Sequence, residues 1–357
     1  MVTSRRILAA VFAAVLLLAG VAGAQSFTTT VPAPDGTPLA TDVYLPFLGS
    51  SWPVVLVRTP YGKDGVRETC LAAVVLGYAC VAQDTRGRFD SGGTDTVFRD
   101  DGPDGRATLQ WLADQGFCNG KVGMLGGSAL GITQYMAAPG APDVLRCQIP
   151  VFATADLYHV AMFQGGALRE SLVTNWLDGQ GSLDQLPEIL DHRLWDPWWA
   201  KTTPLLHPEE VHVPTLHVAG WYDIFLRGNL DAFTAWQERG GDGAAGRQNL
   251  VIGPWTHGYD PGNTTAGQLT YPSNSALNPI SLTLDYLEHW LKGKSNGVGS
   301  WPAVHLYLMG AVGEPGAPGN LWIDLDRWPP GLPRHDLYLT ASGGLEWRKP
   351  AGGRVEL

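Results

Sequence analysis

The chain has 357 residues, 45% of them hydrophobic and only 16% charged, with a formal net charge of -10. That length holds one large domain plus a smaller one, with ample material for a core. The acidic balance and the absence of a Lys/Arg cluster exclude a nucleic-acid partner, which needs a basic footprint.

Residues 1–24 read as a secretory signal peptide. Arg5 and Arg6 precede the apolar run ILAAVFAAVLLLAGV, and Ala22-Gly23-Ala24 offers a small-residue cleavage site before Gln25. An uncleaved anchor is the alternative, and no later segment is apolar enough to span a bilayer. A secreted or periplasmic protein is therefore expected, in which disulfides are feasible. None of Cys70, Cys80, Cys118 and Cys147 has metal-site spacing. Cys70 and Cys80 flank a helix-to-strand turn, and Cys118 and Cys147 lie near the starts of successive strands. Each pair is a candidate bridge, against four buried thiols.

FTTTVPAPDGTPLATDVYLP alternates on either side of Asp35-Gly36, which predicts a β-hairpin. PVVLVRTPY, at 53–61, is a continuous β-branched run of the buried type. A helix to Leu76, the strand GYACVAQD and the loop TRGRFDSGG follow. Residues 104–115 predict a helix with Ala107, Leu109, Trp111 and Leu112 as apolar positions. Asn119-Gly120 turns into strand KVGML, a helix covers roughly 129–138, and strand VLRCQIPVF comes next. Strand then helix, repeated, predicts an α/β fold with a mostly parallel sheet covered on both faces.

Between about 153 and 212 the alternation lapses. This stretch is helical and aromatic, with Tyr158, Phe163, Trp176, Trp195, Trp198 and Trp199, and reads as a cap over the sheet's carboxyl edge. Strands PTLHVAG and QNLVIG resume the pattern around a helix from about 226, with GGDGAAG as a flexible connector. Asn278-Pro279 opens a last helix that Gly293 closes, with Ile280, Leu284, Leu287 and Leu291 on one face. From 294 to 357 the runs AVHLYLMG, NLWIDL and HDLYLT read as the start of a separate, incomplete β domain.

Gly126-Gly127-Ser128-Ala129-Leu130-Gly131 lies between a strand and a helix. A nucleophile elbow needs small residues there, because the turn strains the serine and crowds strand against helix. The GxSxxG spacing alone is equally that of a glycine-rich joint. A serine nucleophile needs a base, and the base needs an orienting acid. Asp223 in HVAGWYDIF and His257 in LVIGPWTHGYD each fall just past a strand, in the order Ser, Asp, His. Singly, Asp223 serves as well as a helix N-cap and His257 as a loop histidine; together they read as a relay.

Several blocks then carry a resemblance: VRTPYGK, GYACVAQDTRGRFDSGG, residues 101–138, GWYD, GPWTH and LDYLEHWLKGKSNGV. With these the chain resembles the cocaine-esterase and Xaa-Pro dipeptidyl-peptidase-like serine hydrolases over nearly everything after the signal peptide. The resemblance implies an α/β-hydrolase core over 25–293 with a helical cap at about 153–212. It also implies a C-terminal jelly roll, of which 294–357 is only the beginning, so a fragment is expected. It implies the triad Ser128, Asp223 and His257. The Tyr61 hydroxyl and the Ala129 N–H would form the oxyanion hole, and Arg86 would be a structural ion pair. The mechanism of such a triad calls for no metal or organic cofactor. Ala129 stands where the family usually has tyrosine, which keeps the backbone donor but removes a bulky wall.

Relatives that hydrolyse α-amino acid esters carry carboxylates just after the catalytic aspartate. Here Ile224, Phe225 and Leu226 stand there. Phe163 and Trp176 from the cap, with Trp221 and Phe225, are the candidate pocket walls, or else simply core aromatics. The expected activity is a secreted carboxylesterase acting on a small ester. The alternatives are a peptidase releasing Xaa-Pro dipeptides, an amide acylase, or an inactive binding protein on the same scaffold. Association into a homo-oligomer stays open.

Overall fold

A computed structural model describes residues 25–258, 262–314, 316–331, 335–340 and 343–349. The expected signal peptide lies outside these residues. The first hairpin pairs β1 (Gln25–Pro32) with β2 (Pro38–Leu45) in antiparallel register about Asp35-Gly36, where Gly36 takes φ 85°. The Asp35 side chain accepts the Thr37 N–H at 3.0 Å, which closes the turn.

Six parallel strands follow β2 in sequence: β3 (Trp52–Thr59), β4 (Ala79–Asp84), β5 (Cys118–Gly127), β6 (Leu145–Val151), β7 (Leu216–Tyr222) and β8 (Asn249–Thr256). The sheet continues into β9 (Val304–Leu308), parallel to β8, and β10 (Leu321–Leu325), antiparallel to β9. The spatial order is β1-β2-β4-β3-β5-β6-β7-β8-β9-β10. The central strands are buried on both faces, which is why β3 reads as an unbroken β-branched run and β4 carries no apolar–polar alternation. Along β3, Val54 and Leu56 enter one apolar cluster while Val55 and Val57 enter another on the opposite face.

Helices cover both faces. α1 (Arg67–Val75) and α7 (Pro279–Lys292) pack on the Val55 side; α2 (Asp101–Ala113) and α3 (Ala129–Ala137) pack on the Val54 side. Asn278 caps α7 by accepting the N–H groups of Ile280 and Ser281, and Gly293 ends it in a left-handed conformation. Residues 153–212 leave the sheet between β6 and β7. They include a π-helical turn (Leu157–Met162), α4 (Glu170–Gln180) and α5 (Leu186–Asp191). α6 (Leu226–Arg239) joins β7 to β8.

Four expectations need correction. AVHLYLMG and NLWIDL do not start a separate domain, since they supply β9 and β10 of the central sheet. Pairing with β8 lets Val304, Leu306 and Tyr307 bury their side chains. GGDGAAG is no loose connector: Ala244 is fully buried and the Gly241 N–H bonds the Val211 carbonyl at 2.8 Å. Ile280 does not join the apolar face of α7; it sits in the first turn and is 72% exposed. The Cys118–Cys147 bridge does not form, and both remain thiols. Cys147 is in register with Gly123, which pairs with Val55 while Cys118 pairs with Trp52, so the two lie on the order of 10 Å apart along the sheet. They also pack into clusters on opposite faces. Cys70 and Cys80 are bridged across the α1–β4 turn, with Cα atoms 5.1 Å apart.

Candidate active site

β5 ends at Gly127 and α3 begins at Ala129, so Ser128 is the joint between them. Its φ of 53° and ψ of -124° are strained for a residue with a side chain. The surrounding glycines are explained by crowding. A Cβ on Gly131 would come within 2.6 Å of the Ala153 Cβ, and one on Gly126 would collide with Leu130. The Ser128 N–H bonds the Val151 carbonyl of β6 at 2.8 Å, which holds the turn against the sheet. The Ala129 N–H lies in the first turn of α3, where amides have no intrahelical acceptor.

Three strand ends converge on that turn. The Ser128 Oγ lies 2.9 Å from His257 Nε2, and His257 Nδ1 lies 2.6 Å from Asp223 Oδ1. Asp223 follows β7 and its side chain is fully buried; His257 follows β8 and is about one-third exposed. With Nδ1 bonded to a carboxylate, the neutral imidazole carries its proton there and turns its Nε2 lone pair to the serine. The ring is held edge-on by Phe225, at a centroid distance of 5.1 Å, and faces Phe152 at 6.5 Å.

Tyr61 lies just past β3. Its N–H bonds the Thr59 hydroxyl at 3.0 Å, and the Lys63 N–H bonds Asp84 Oδ1 at 2.6 Å, so the turn carrying Tyr61 is pinned at two points. Burial pushes the Asp84 carboxyl up, against the hydrogen bonds from Lys63 and Asp90. The Lys63 ammonium is itself buried beside Asp42 and Asp90. Arg86 bridges Asp35 at 2.6 Å and Asp104 at 2.7 Å, and its hydrogen bonds hold the Asp35 carboxyl well below the usual range. It ties the first hairpin to α2 and does not line the cavity.

Ser128, Ala129, His257 and Tyr61 open together on a cavity of about 410 Å³. Of the expected walls, Trp176 and Phe225 line it and Phe163 and Trp221 do not. Phe163 turns into the cap's own core, stacked on Tyr158 at 5.2 Å and edge-on to Trp199. Trp221 shares the face of Ala219 on β7, among Phe233 and Leu250, and donates its N–H to the Tyr307 carbonyl. Met162, Phe98 and Ile132 are walls that sequence reasoning missed. Ile132 was within reach, since three residues past Ala129 it shares that residue's helix face. Nothing in the sequence singles out Phe98. Among the described residues, no Asp, Glu, Lys or Arg lines the cavity, and only His207, Glu209 and Glu210 cluster like metal ligands, on an exposed turn outside it.

The family described as X-Pro dipeptidyl-peptidase (S15 family) matches residues 35–187 and 180–259. This chain belongs to the S15 family. An S15-type α/β-hydrolase sheet accounts for the strand order and for the three residues at successive strand ends. A cocaine esterase of Rhodococcus sp. (strain MB1 Bresler) is 31% identical over 371 residues, which is 88% of this chain and 62% of that protein. An aminopeptidase from a marine sediment Thaumarchaeota archaeon superposes with a TM-score of 0.73 at 22% identity, over 93% of this chain and 63% of that one. A CocE/NonD family hydrolase from Staphylococcus aureus does so with a TM-score of 0.73 at 21% identity, over 92% and 61%. At these identities the two structures speak for the fold. The S15 chain described here thus spans about three-fifths of the length of each of these relatives.

Proposed function

We propose that the protein is a serine hydrolase that cleaves carboxylic esters with an apolar acyl group. One observation carries this reading: the Ser128–His257–Asp223 relay opens on a cavity whose walls, among the described residues, hold no Asp, Glu, Lys or Arg. Its volume suits a small organic group. Ser128 Oγ attacks the carbonyl carbon as His257 Nε2 takes its proton. Asp223 holds the Nδ1 proton and stabilises the imidazolium. The oxyanion lies between the Tyr61 hydroxyl and the Ala129 N–H, each such donor being worth about 3–4 kcal/mol in the transition state. His257 passes its proton to the departing alcohol, leaving an acyl-enzyme, and then activates water to release the acid.

Family membership favours a second reading, release of Xaa-Pro dipeptides. Such a substrate carries a free α-ammonium, which a buried site pairs with a carboxylate. Among the described residues, Asp223 is the carboxylate at the relay, and it is engaged by His257. Ile224 and Phe225 stand on the wall where an acidic partner would help. The reading includes export: the signal-like residues 1–24 support it, and so does the Cys70–Cys80 bridge, of a kind that persists in oxidising compartments.

A fluorophosphonate probe tests the nucleophile. Stoichiometric labelling that disappears in Ser128→Ala is expected. A folded protein that takes no label would instead be a binding protein on a hydrolase scaffold. Aryl esters of apolar acids are expected to turn over faster than Xaa-Pro anilides, and the reverse order would establish the peptidase.

A further inference from the structure

The Tyr61 hydroxyl oxygen accepts a hydrogen bond from the Trp176 indole N–H at 2.9 Å. An indole nitrogen only donates, so chemistry fixes the direction of this bond. The tyrosine oxygen is the acceptor, and its single proton stays free to serve a third group. A hydroxyl that accepts one hydrogen bond also becomes a better donor in the next. Trp176 is in turn held flat against Phe98, with centroids 5.6 Å apart and planes 24° apart.

Trp176 rides on α4, whose Leu172 and Val173 also line the cavity. A second tie joins the end of this helix to the Tyr61 turn. Arg88 donates to Gln180 Oε1 at 3.2 Å and Ser182 Oγ at 3.0 Å, and its Nε reaches the Pro60 carbonyl at 3.2 Å, one residue before Tyr61. The helix that would touch the acyl group is therefore bonded to the turn that carries the oxyanion donor.

We propose that Trp176 is a positioning residue: its N–H aims the Tyr61 hydroxyl proton into the oxyanion site, coupling the seat of α4 on the acyl group to oxyanion stabilisation. This rests on the reading of Tyr61 as an oxyanion donor. It predicts that a good acyl fit raises kcat and not merely binding, because the same helix serves both tasks.

The test separates the N–H from the ring. Replacing Trp176 by β-(3-benzothienyl)alanine keeps the shape and exchanges the N–H for sulfur; Trp176→Phe is the genetically simpler counterpart. On a p-nitrophenyl ester of an apolar acid, the isostere should lower kcat about tenfold with KM little changed. The inhibition constant of a boronic acid, which forms a tetrahedral adduct on the serine, should rise by the same factor. Tyr61→Phe should lower kcat about a hundredfold or more. In the Tyr61→Phe background neither change at Trp176 should lower kcat further. If Tyr61→Phe leaves kcat intact, the oxyanion reading itself fails. If Tyr61→Phe lowers kcat but the isostere does not, or if the two losses multiply, the positioning role is refuted while the oxyanion reading stands.

Discussion

Asp223→Asn has an outcome that the geometry lets one work through. Asp223 Oδ1 bonds His257 Nδ1 at 2.6 Å, while Oδ2 is buried and has no hydrogen-bond partner among the described residues. An amide at this position has two orientations. With its oxygen on Nδ1 it keeps the productive tautomer but puts an NH2 group into the place of Oδ2, where no acceptor waits, at a cost of about 1–3 kcal/mol. With its NH2 on Nδ1 it leaves an oxygen where an unpartnered oxygen already sits, and it forces the imidazole proton onto Nε2, facing Ser128. The second orientation is therefore favoured by that same margin, which removes a factor of roughly 5 to 150 from the productive population. The lost carboxylate charge also withdraws about 4 kcal/mol of stabilisation from the imidazolium at an effective dielectric of ~20. That is on the order of another thousandfold. Together they set a fall in kcat of around 10⁴, comparable to the effect of this exchange in other triads. Stopped-flow and steady-state turnover of an aryl ester would measure it, with near-UV circular dichroism to confirm an intact fold. A folded variant that keeps more than about a tenth of the wild-type kcat would refute the assigned role of Asp223.

The Cys70–Cys80 bridge closes a short loop, with a sequence separation of 10, so replacing both cysteines by serine should cost about 3 kcal/mol in urea unfolding under oxidising conditions. A change below about 0.5 kcal/mol would mean that the unfolded chain gains nothing from the crosslink. His217 is wholly buried between Tyr135 and Gln248, and burial pushes its imidazole down to about 3, opposed by the Gln248 hydrogen bond. Its folded pKa lies below its unfolded one, so its contribution is complete above about pH 6.5 and is lost as the pH falls toward 3. Denaturation at pH 5 should therefore show about 2 kcal/mol less stability than at pH 7, and His217→Gln should flatten that slope. An unchanged slope would place the acid sensitivity elsewhere. Ile132→Phe, on the cavity wall, should cut the preference for benzoyl over acetyl esters of the same alcohol about tenfold in kcat/KM. An unaltered preference would show that the acyl group lies elsewhere.

The relay was legible because it obeys chain order. Ser128, Asp223 and His257 each stand one step past a strand of the parallel sheet, and the short apolar stretches VGML, LHVAG and LVIG mark those strands in the sequence. Their alignment side by side then follows from the parallel sheet. The cavity walls were not legible in the same way. Phe163 and Trp176 look equivalent in sequence, both aromatic and both in the cap, yet one faces Tyr158 and Trp199 while the other faces Tyr61. What separates them is how the cap folds on itself, which no local period encodes. The same limit explains β9 and β10. A strand that completes the edge of a central sheet and a strand that begins a new domain have the same alternation, and only the apolar edge of β8 distinguishes them.

On the proposed role of Trp176, the cap is part of the catalytic apparatus and not only a cover. Trp176 bonds the Tyr61 hydroxyl, Arg88 bonds both α4 and the Tyr61 turn, and Phe98 supports Trp176 from the loop before α2. Ala129, small and only 2% exposed, adds little bulk to the cavity that α4 also lines. A substitution that loosens α4 at its far end, such as Arg88→Ala, should then lower kcat on aryl esters through Tyr61 although Arg88 does not line the cavity. If Arg88→Ala shifts only KM, or only the melting temperature, the cap acts as a wall alone. If it lowers kcat, and does so no further in the Tyr61→Phe background, the cap and the oxyanion turn work as one unit.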